Sequence, residues 1–173
     1  EAEAAHFLDA LARATDLGLV QDAVLAQSEK ERAAFWAIRD NIESLAVLWP
    51  LAIFDISLPL ATMEDYLERT GARLEQRLGE LRWVTFGHLG DSNLHLAIAL
   101  GGDDPALRHA VEEIVYAGLA GIGGSVSAEH GIGLEKREFL HCSRSATEIE
   151  LMKTLKRALD PRNILNPERI FHL

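Results

Sequence analysis

The chain has 173 residues, 48% of them hydrophobic and 25% charged, with a formal net charge of -10. That length and balance suit one folded domain with a real core and exclude a disordered chain. The negative charge, with no Lys/Arg cluster, excludes nucleic acid as a partner, and no apolar run reaches the length of a membrane span.

Residues 2–15 place Phe7, Leu8, Leu11 and Ala12 at helical spacing and predict a helix. The opening stretch, EAEAAHFLDALARA, is acidic, without a basic leader and apolar core. It reads as no signal peptide, which points to a cytoplasmic protein. The lone Cys142 forms no intrachain disulfide and fits a reducing compartment; it reads as an inert loop cysteine. LVQDAVLAQ (19–27) reads as extended. Ser28 opens S-E-K-E, a capping box, and the helix it starts is expected to run to about Val47.

Trp49-Pro50 ends that helix, and LAIFDISL (51–58) alternates as a strand should. Thr62 opens T-M-E-D, a helix start, and that helix reaches Gly79. WVTFGH (83–88) and NLHLAIAL (93–100) are predicted strands joined by a short turn. Asp104-Pro105 pairs an N-cap with proline at the first helical position, and that helix runs to about Gly121. SVSAE (125–129) reads as a brief strand. Ser145 opens S-A-T-E, another capping box, and the last helix ends at Asp160-Pro161. From residue 51 the order is β-α-β-β-α-β. This is an α+β, ferredoxin-like arrangement: an antiparallel sheet with helices on one face, plus extra N- and C-terminal helices.

FGHLGDSNLHLAI (86–98) carries His88 and His95 at equal distances from the Asp91-Ser92 midpoint. A symmetric hairpin makes them a direct cross-strand pair, with Cβ atoms roughly 4.5–5.5 Å apart. Two imidazoles at that spacing converge on one ion, with bonds of about 2.0–2.1 Å to zinc. SAEHGIG (127–133) offers Glu129 as a third ligand, with His130 beside it. Two histidines and one carboxylate leave open positions, as catalytic metal sites do. Spacing alone leaves open the plainer reading of surface histidines and an unrelated acid.

GHLGDSNLH, SAEHGIGLEKR and DPRNILNPERIF together resemble the C-terminal domain of FAD-linked oxidases of the vanillyl-alcohol oxidase type. The nearest group is the D-2-hydroxyacid dehydrogenases: D-lactate and D-2-hydroxyglutarate dehydrogenases and the glycolate oxidase flavin subunit. The likeness runs from WAIRDNI (36–42) to the end of the chain. It implies a divalent metal held by His88, His95 and Glu129, with zinc expected and manganese or iron also accepting such ligands. It implies His130 as the general base, Arg39 as the residue that holds the substrate carboxylate, and Asn166 in a segment approaching the flavin. The implied reaction oxidises a 2-hydroxy acid to a 2-oxo acid by hydride transfer to FAD. A cation lowers the pKa of the substrate hydroxyl, and a histidine, ordinarily near neutral in pKa, is suited to take its proton.

Some positions depart from the family pattern. Ala97 stands where asparagine is frequent, and Ile53 where the 2-hydroxyglutarate group has lysine. Losing both polar contacts favours a shorter or more apolar 2-hydroxy acid. Arg169 replaces a lysine in the terminal NPER, and Ser92 a hairpin glycine.

No glycine-rich phosphate loop precedes a helix, so residues 1–173 read as a single substrate domain whose FAD-binding domain lies outside this chain. The expected partners are a small 2-hydroxy acid, that FAD domain, an electron acceptor and a second copy in a homodimer. Three other readings stand beside this one: a non-enzymatic ferredoxin-like binding or dimerisation module, a metal-assisted hydrolase, and a flavin enzyme of the same family with another substrate.

Overall fold

The structure, a computed structural model, describes residues 2–173. Contacts divide it into two units, Glu1–Ser44 and Leu45–Leu173. In the first, α1 spans Ala2–Asp16 and α2 spans Glu29–Arg39, and neither helix buries a residue. The stretch 19–27 forms no strand. The Ser28 hydroxyl accepts the Glu31 N–H at 3.2 Å, as an N-cap should, but the Glu31 carboxylate returns to the N–H of Gln27 rather than of Ser28. The expected helix to Val47 stops at Arg39, and a 3-10 turn covers Ile42–Leu48.

The second unit is built on two alternating stretches. β1 (Leu51–Ser57) sends Ala52, Phe54 and Ile56 to one side, and β3 (Asn93–Ala99) sends Leu94, Leu96 and Ile98 to the same side. Between them come α3 (Leu60–Leu78) and β2 (Trp83–Phe86). The three strands are antiparallel in the order β1-β3-β2. α3 and α4 (Pro105–Ala117) cover the apolar face with Met63, Tyr66 and Leu74 from one and Val111, Val115 and Tyr116 from the other. Each such side chain, fully buried, contributes about 1.5–3 kcal/mol. Phe54 meets Tyr116 edge to face at 5.4 Å, and the Tyr66 hydroxyl donates to the Val115 carbonyl at 2.9 Å.

The helix expected from Thr62 begins at Leu60; Thr62 sits in its first turn and donates to the Pro59 carbonyl at 2.8 Å. Asp104 caps α4 ahead of Pro105, and Ser145 with Glu148 completes a reciprocal capping box on α5 (Ala146–Leu159). The α+β class and the placement of helices on one face are as the sequence predicts.

The fourth strand, expected at SVSAE, is reduced to one antiparallel bridge, Ser57 with Ser125. That bridge lies beside β1, where a β-α-β-β-α-β sheet would receive its last strand. Beyond it the chain leaves the ladder, because the next N–H groups find a different acceptor.

Candidate active site

Opposite the helices, the sheet presents rows of side chains set by its register. Asp55, His95 and Phe86 form one cross-strand row on this face. His88 does not pair with His95, as a symmetric hairpin requires; Phe86 does. A 3-10 turn over Leu89–Asp91, followed by Ser92 at φ 57°, makes the connection asymmetric. His88 is thereby left at the mouth, its carbonyl accepting the Asn93 N–H at 3.2 Å. Gly87 allows this close crossing: a Cβ there would lie 2.3 Å from the Asn93 carbonyl oxygen.

The two imidazoles still lie close to one another, edge to face, with ring centroids 6.2 Å apart. Glu129 lies between them. One carboxylate oxygen is 3.6 Å from His88 Nε2 and the other 3.9 Å from His95 Nε2. One ligand atom from each of the three residues lies within 4.8 Å of the others. Tetrahedral zinc places its ligand atoms about 3.3 Å apart, as its bond lengths require, so small side-chain rotations close the set. Asn93 donates to Glu129 Oε1 at 2.7 Å and fixes that carboxylate. Its amide nitrogen is also 3.5 Å from His95 Nε2, while its own Oδ1 is buried without a partner.

What brings Glu129 to the sheet is Asp55, which is 1% exposed. Its carboxylate accepts the backbone N–H of His130 at 2.8 Å and of Glu129 at 3.0 Å, and the Ser127 hydroxyl at 3.0 Å. Lys136, 7% exposed, adds its ammonium at 3.4 Å and also donates to the Asp55 carbonyl and to Ser127. A side chain thus replaces the β1 backbone as acceptor for this segment, which is why no fourth strand continues. Burial opposes ionisation of Asp55, but the His130 and Glu129 N–H groups, Lys136 and Ser127 outweigh it and hold its pKa at about 2. Burial pushes the Lys136 ammonium down, and Asp55 pulls it back up.

Asp55, Glu129 and His130 form a second group with metal-ligating atoms close together. The Asp55 oxygens are already taken by four donors, and the neighbouring Lys136 repels a cation. His88, His95 and Glu129 are therefore the set able to hold one. His130 stands beside them, its ring 6.0 Å from that of His95 and its Nδ1 3.7 Å from Asp55 Oδ2.

The anchoring predicts an acid dependence. A carboxyl at about 2 when folded and 3.8 when unfolded stabilises the fold fully above pH 3.8. That contribution is lost as pH falls through about 2. Urea unfolding across this window is expected to show a slope of up to about 1.4 kcal/mol per pH unit from this one group. Asp55→Asn should remove that part of the slope; an unchanged slope would mean Asp55 is not the anchor.

The remaining sequence-predicted residues lie elsewhere. Arg39 belongs to the Glu1–Ser44 unit, where it donates to Asp40 at 2.8 Å and lies over the Trp36 ring at 5.5 Å. Asn166 sits in the C-terminal tail at φ 47°, its carbonyl accepting the Arg169 N–H. Cys142 is partly buried, and burial pushes its thiol up, against reactivity. Asp55, Asn93 and Lys136 were not singled out by the sequence. The available signal was an Asp flanked by Phe54 and Ile56 in a run otherwise fit for a core strand.

Residues 1–170 match the family model described as FAD linked oxidases, C-terminal domain. The chain belongs to this family. It is 37% identical over 177 residues to a D-2-hydroxyglutarate dehydrogenase of Xanthomonas citri pv. viticola, covering 99% of this chain and 37% of the relative. It is 39% identical over 161 residues to the mitochondrial D-2-hydroxyglutarate dehydrogenase of Bos taurus, covering 92% and 29%. A mitochondrial protein of Schizosaccharomyces pombe, provisionally named a D-lactate dehydrogenase, is 38% identical over 159 residues, covering 86% and 30%. This FAD-linked oxidase C-terminal domain thus spans about a third of the length of these relatives. No helix among its described residues is long and apolar enough to cross a membrane.

Proposed function

We propose that this domain is the substrate- and cation-binding part of an FAD-dependent D-2-hydroxyacid dehydrogenase, which oxidises a 2-hydroxy acid to its 2-oxo acid. The observation that carries the reading is the meeting of His88, His95 and Glu129 from separate segments, with His130 alongside. The names of the relatives support it.

The donor set fits a divalent cation, zinc first, with manganese or iron as alternatives. When bound, that cation would act as a Lewis acid on the substrate's carboxylate and hydroxyl, and FAD, held mainly outside this chain, would accept the hydride. His88, His95 and Glu129 bind and orient. Asn93 holds the Glu129 carboxylate in place. His130 takes the hydroxyl proton as the C2 hydride leaves, which balances the conversion of alcohol to ketone. Arg39, with a planar fork suited to a carboxylate, is proposed to hold the acid group, and Asn166 to approach the flavin. An electron acceptor must then reoxidise the flavin. A cytoplasmic setting and a homodimer remain part of this proposal.

The test is elemental analysis of the full-length protein carrying this chain, alongside turnover of 2-hydroxy acids. Wild type is expected to retain about one divalent ion at the site. His88→Ala and Glu129→Gln should lose it and lower kcat/KM by about 10²–10³-fold, the several kcal/mol a Lewis acid supplies. Equal turnover in both variants would remove the metal mechanism, and a wild type that takes up no ion would favour a binding module. The isolated chain should oxidise nothing; substrate-dependent dye reduction by it alone would contradict a flavin held elsewhere.

A further inference from the structure

Asn93 begins β3 at the edge of the cluster and is 2% exposed. Its backbone is pinned: it pairs with Ser57 across β1, and its N–H donates to the His88 carbonyl at 3.2 Å. Its own carbonyl lies so close to Gly87 that a Cβ there would come within 2.3 Å of the oxygen. Held this way, the side-chain amide turns its nitrogen to the ligand atoms, 2.7 Å from Glu129 Oε1 and 3.5 Å from His95 Nε2. The amide oxygen, Oδ1, is left buried without a partner. An orphaned buried acceptor destabilises a fold, and exchanging the two ends of the amide would set an oxygen against the Glu129 carboxylate. The arrangement costs stability and serves the carboxylate.

Resting on the reading above, we propose that Asn93 is a positioning residue that keeps Glu129 a one-oxygen ligand: its N–H occupies Oε1 and leaves Oε2 to the cation. A carboxylate can grip an ion with one oxygen or with both. Gripping with both would turn Oε1 from the amide to the ion, and Asn93, buried and pinned, could not follow. Nor does the amide itself ligate, since it shows the site an N–H rather than an oxygen. The consequence is room. Two imidazoles and one carboxylate oxygen fill three positions, and zinc accommodates four, rising to five during reaction. Two are then free for the carboxylate and hydroxyl oxygens of a 2-hydroxy acid. A two-oxygen Glu129 would take one of them. A chelating substrate would then require a six-coordinate ion, which suits manganese better than zinc. Asn93 thus governs both which ion is favoured and how the substrate docks on it.

The experiment uses the full-length protein carrying this chain, with Asn93→Leu, close in volume and apolar, and the smaller Asn93→Ala where leucine does not fit. Neither leaves Oδ1 orphaned, and urea unfolding of the metal-free proteins checks that they fold. Zinc and manganese affinities are measured by competition with a chelating dye. The zinc-to-manganese ratio is expected to fall by about tenfold or more in the variants, within the range seen when a partner of a metal ligand is removed. Cobalt-loaded wild type should show the strong visible bands of an ion of low coordination number, and the variants weaker ones. With the flavin reduced so that nothing turns over, calorimetry compares D-lactate with propionate, which lacks the hydroxyl. Zinc-loaded wild type should prefer lactate, and the variants should lose about tenfold of that preference. Zinc and manganese weakened in equal proportion, with the cobalt bands unchanged, would make Asn93 merely structural and overturn the proposal. Variants indistinguishable from wild type would overturn it too, and either result leaves the dehydrogenase reading intact. A wild type that takes up no divalent ion overturns both.

Discussion

Asp55→Ala is expected to cost the Leu45–Leu173 unit about 3–5 kcal/mol, the penalty for breaking a buried ion pair by removing one member. The side chains of Asp55 and Lys136 are 1% and 9% exposed, so neither charge has water to fall back on. Removing the carboxylate strands the Lys136 ammonium and leaves the N–H groups of Glu129 and His130 without their acceptor. Urea unfolding measures the loss. The double variant Asp55→Leu/Lys136→Met separates anchoring from stability. Replacing both charges by apolar groups should recover most of the stability, because the desolvation cost of the pair disappears with it. It should leave zinc binding weakened, since the 127–130 segment has then lost the acceptor of its N–H groups and keeps only the Asn93–Glu129 bond and the Ser57–Ser125 bridge. A double variant that binds zinc like wild type would show that Glu129 finds its place without Asp55.

His130→Gln is expected to lower kcat by about 10²–10⁴-fold, the usual contribution of a positioned general base, while the full-length protein keeps its metal. Glutamine retains the polarity of the site but accepts no proton at neutral pH. The backbone N–H of residue 130 still reaches Asp55, so the loop should hold its course. Elemental analysis and steady-state turnover on the same preparation decide the point. Loss of metal would make His130 a ligand instead of a base; an undiminished kcat would place the base elsewhere.

Much of the fold was legible because it rests on local rules. Alternation marked the strands that became β1 and β3, and Asp104-Pro105 and the Ser145 box marked the starts of α4 and α5. Local rules misled where an alternative partner was out of sight. The helix predicted to Val47 stopped at Arg39, and the histidine pair assumed a symmetric turn that the left-handed Ser92 does not make. Hairpin register depends on turn geometry, and a shift of two residues keeps His88 on the same face while moving it off the direct pairing.

By itself the sequence determined the residue types able to grip a cation, the order of the elements from β1 to α4 and, through three linked motifs, the family. It also placed Ile53 and Ala97 as departures from that family. Only the tertiary structure decided that those two residues sit side by side, one row from His95, and that a buried aspartate takes the place of a fourth strand's ladder. The physical reason is range. Periodicity and capping act within a few residues, whereas Asp55 and Glu129 lie 74 positions apart and meet only once the sheet has formed.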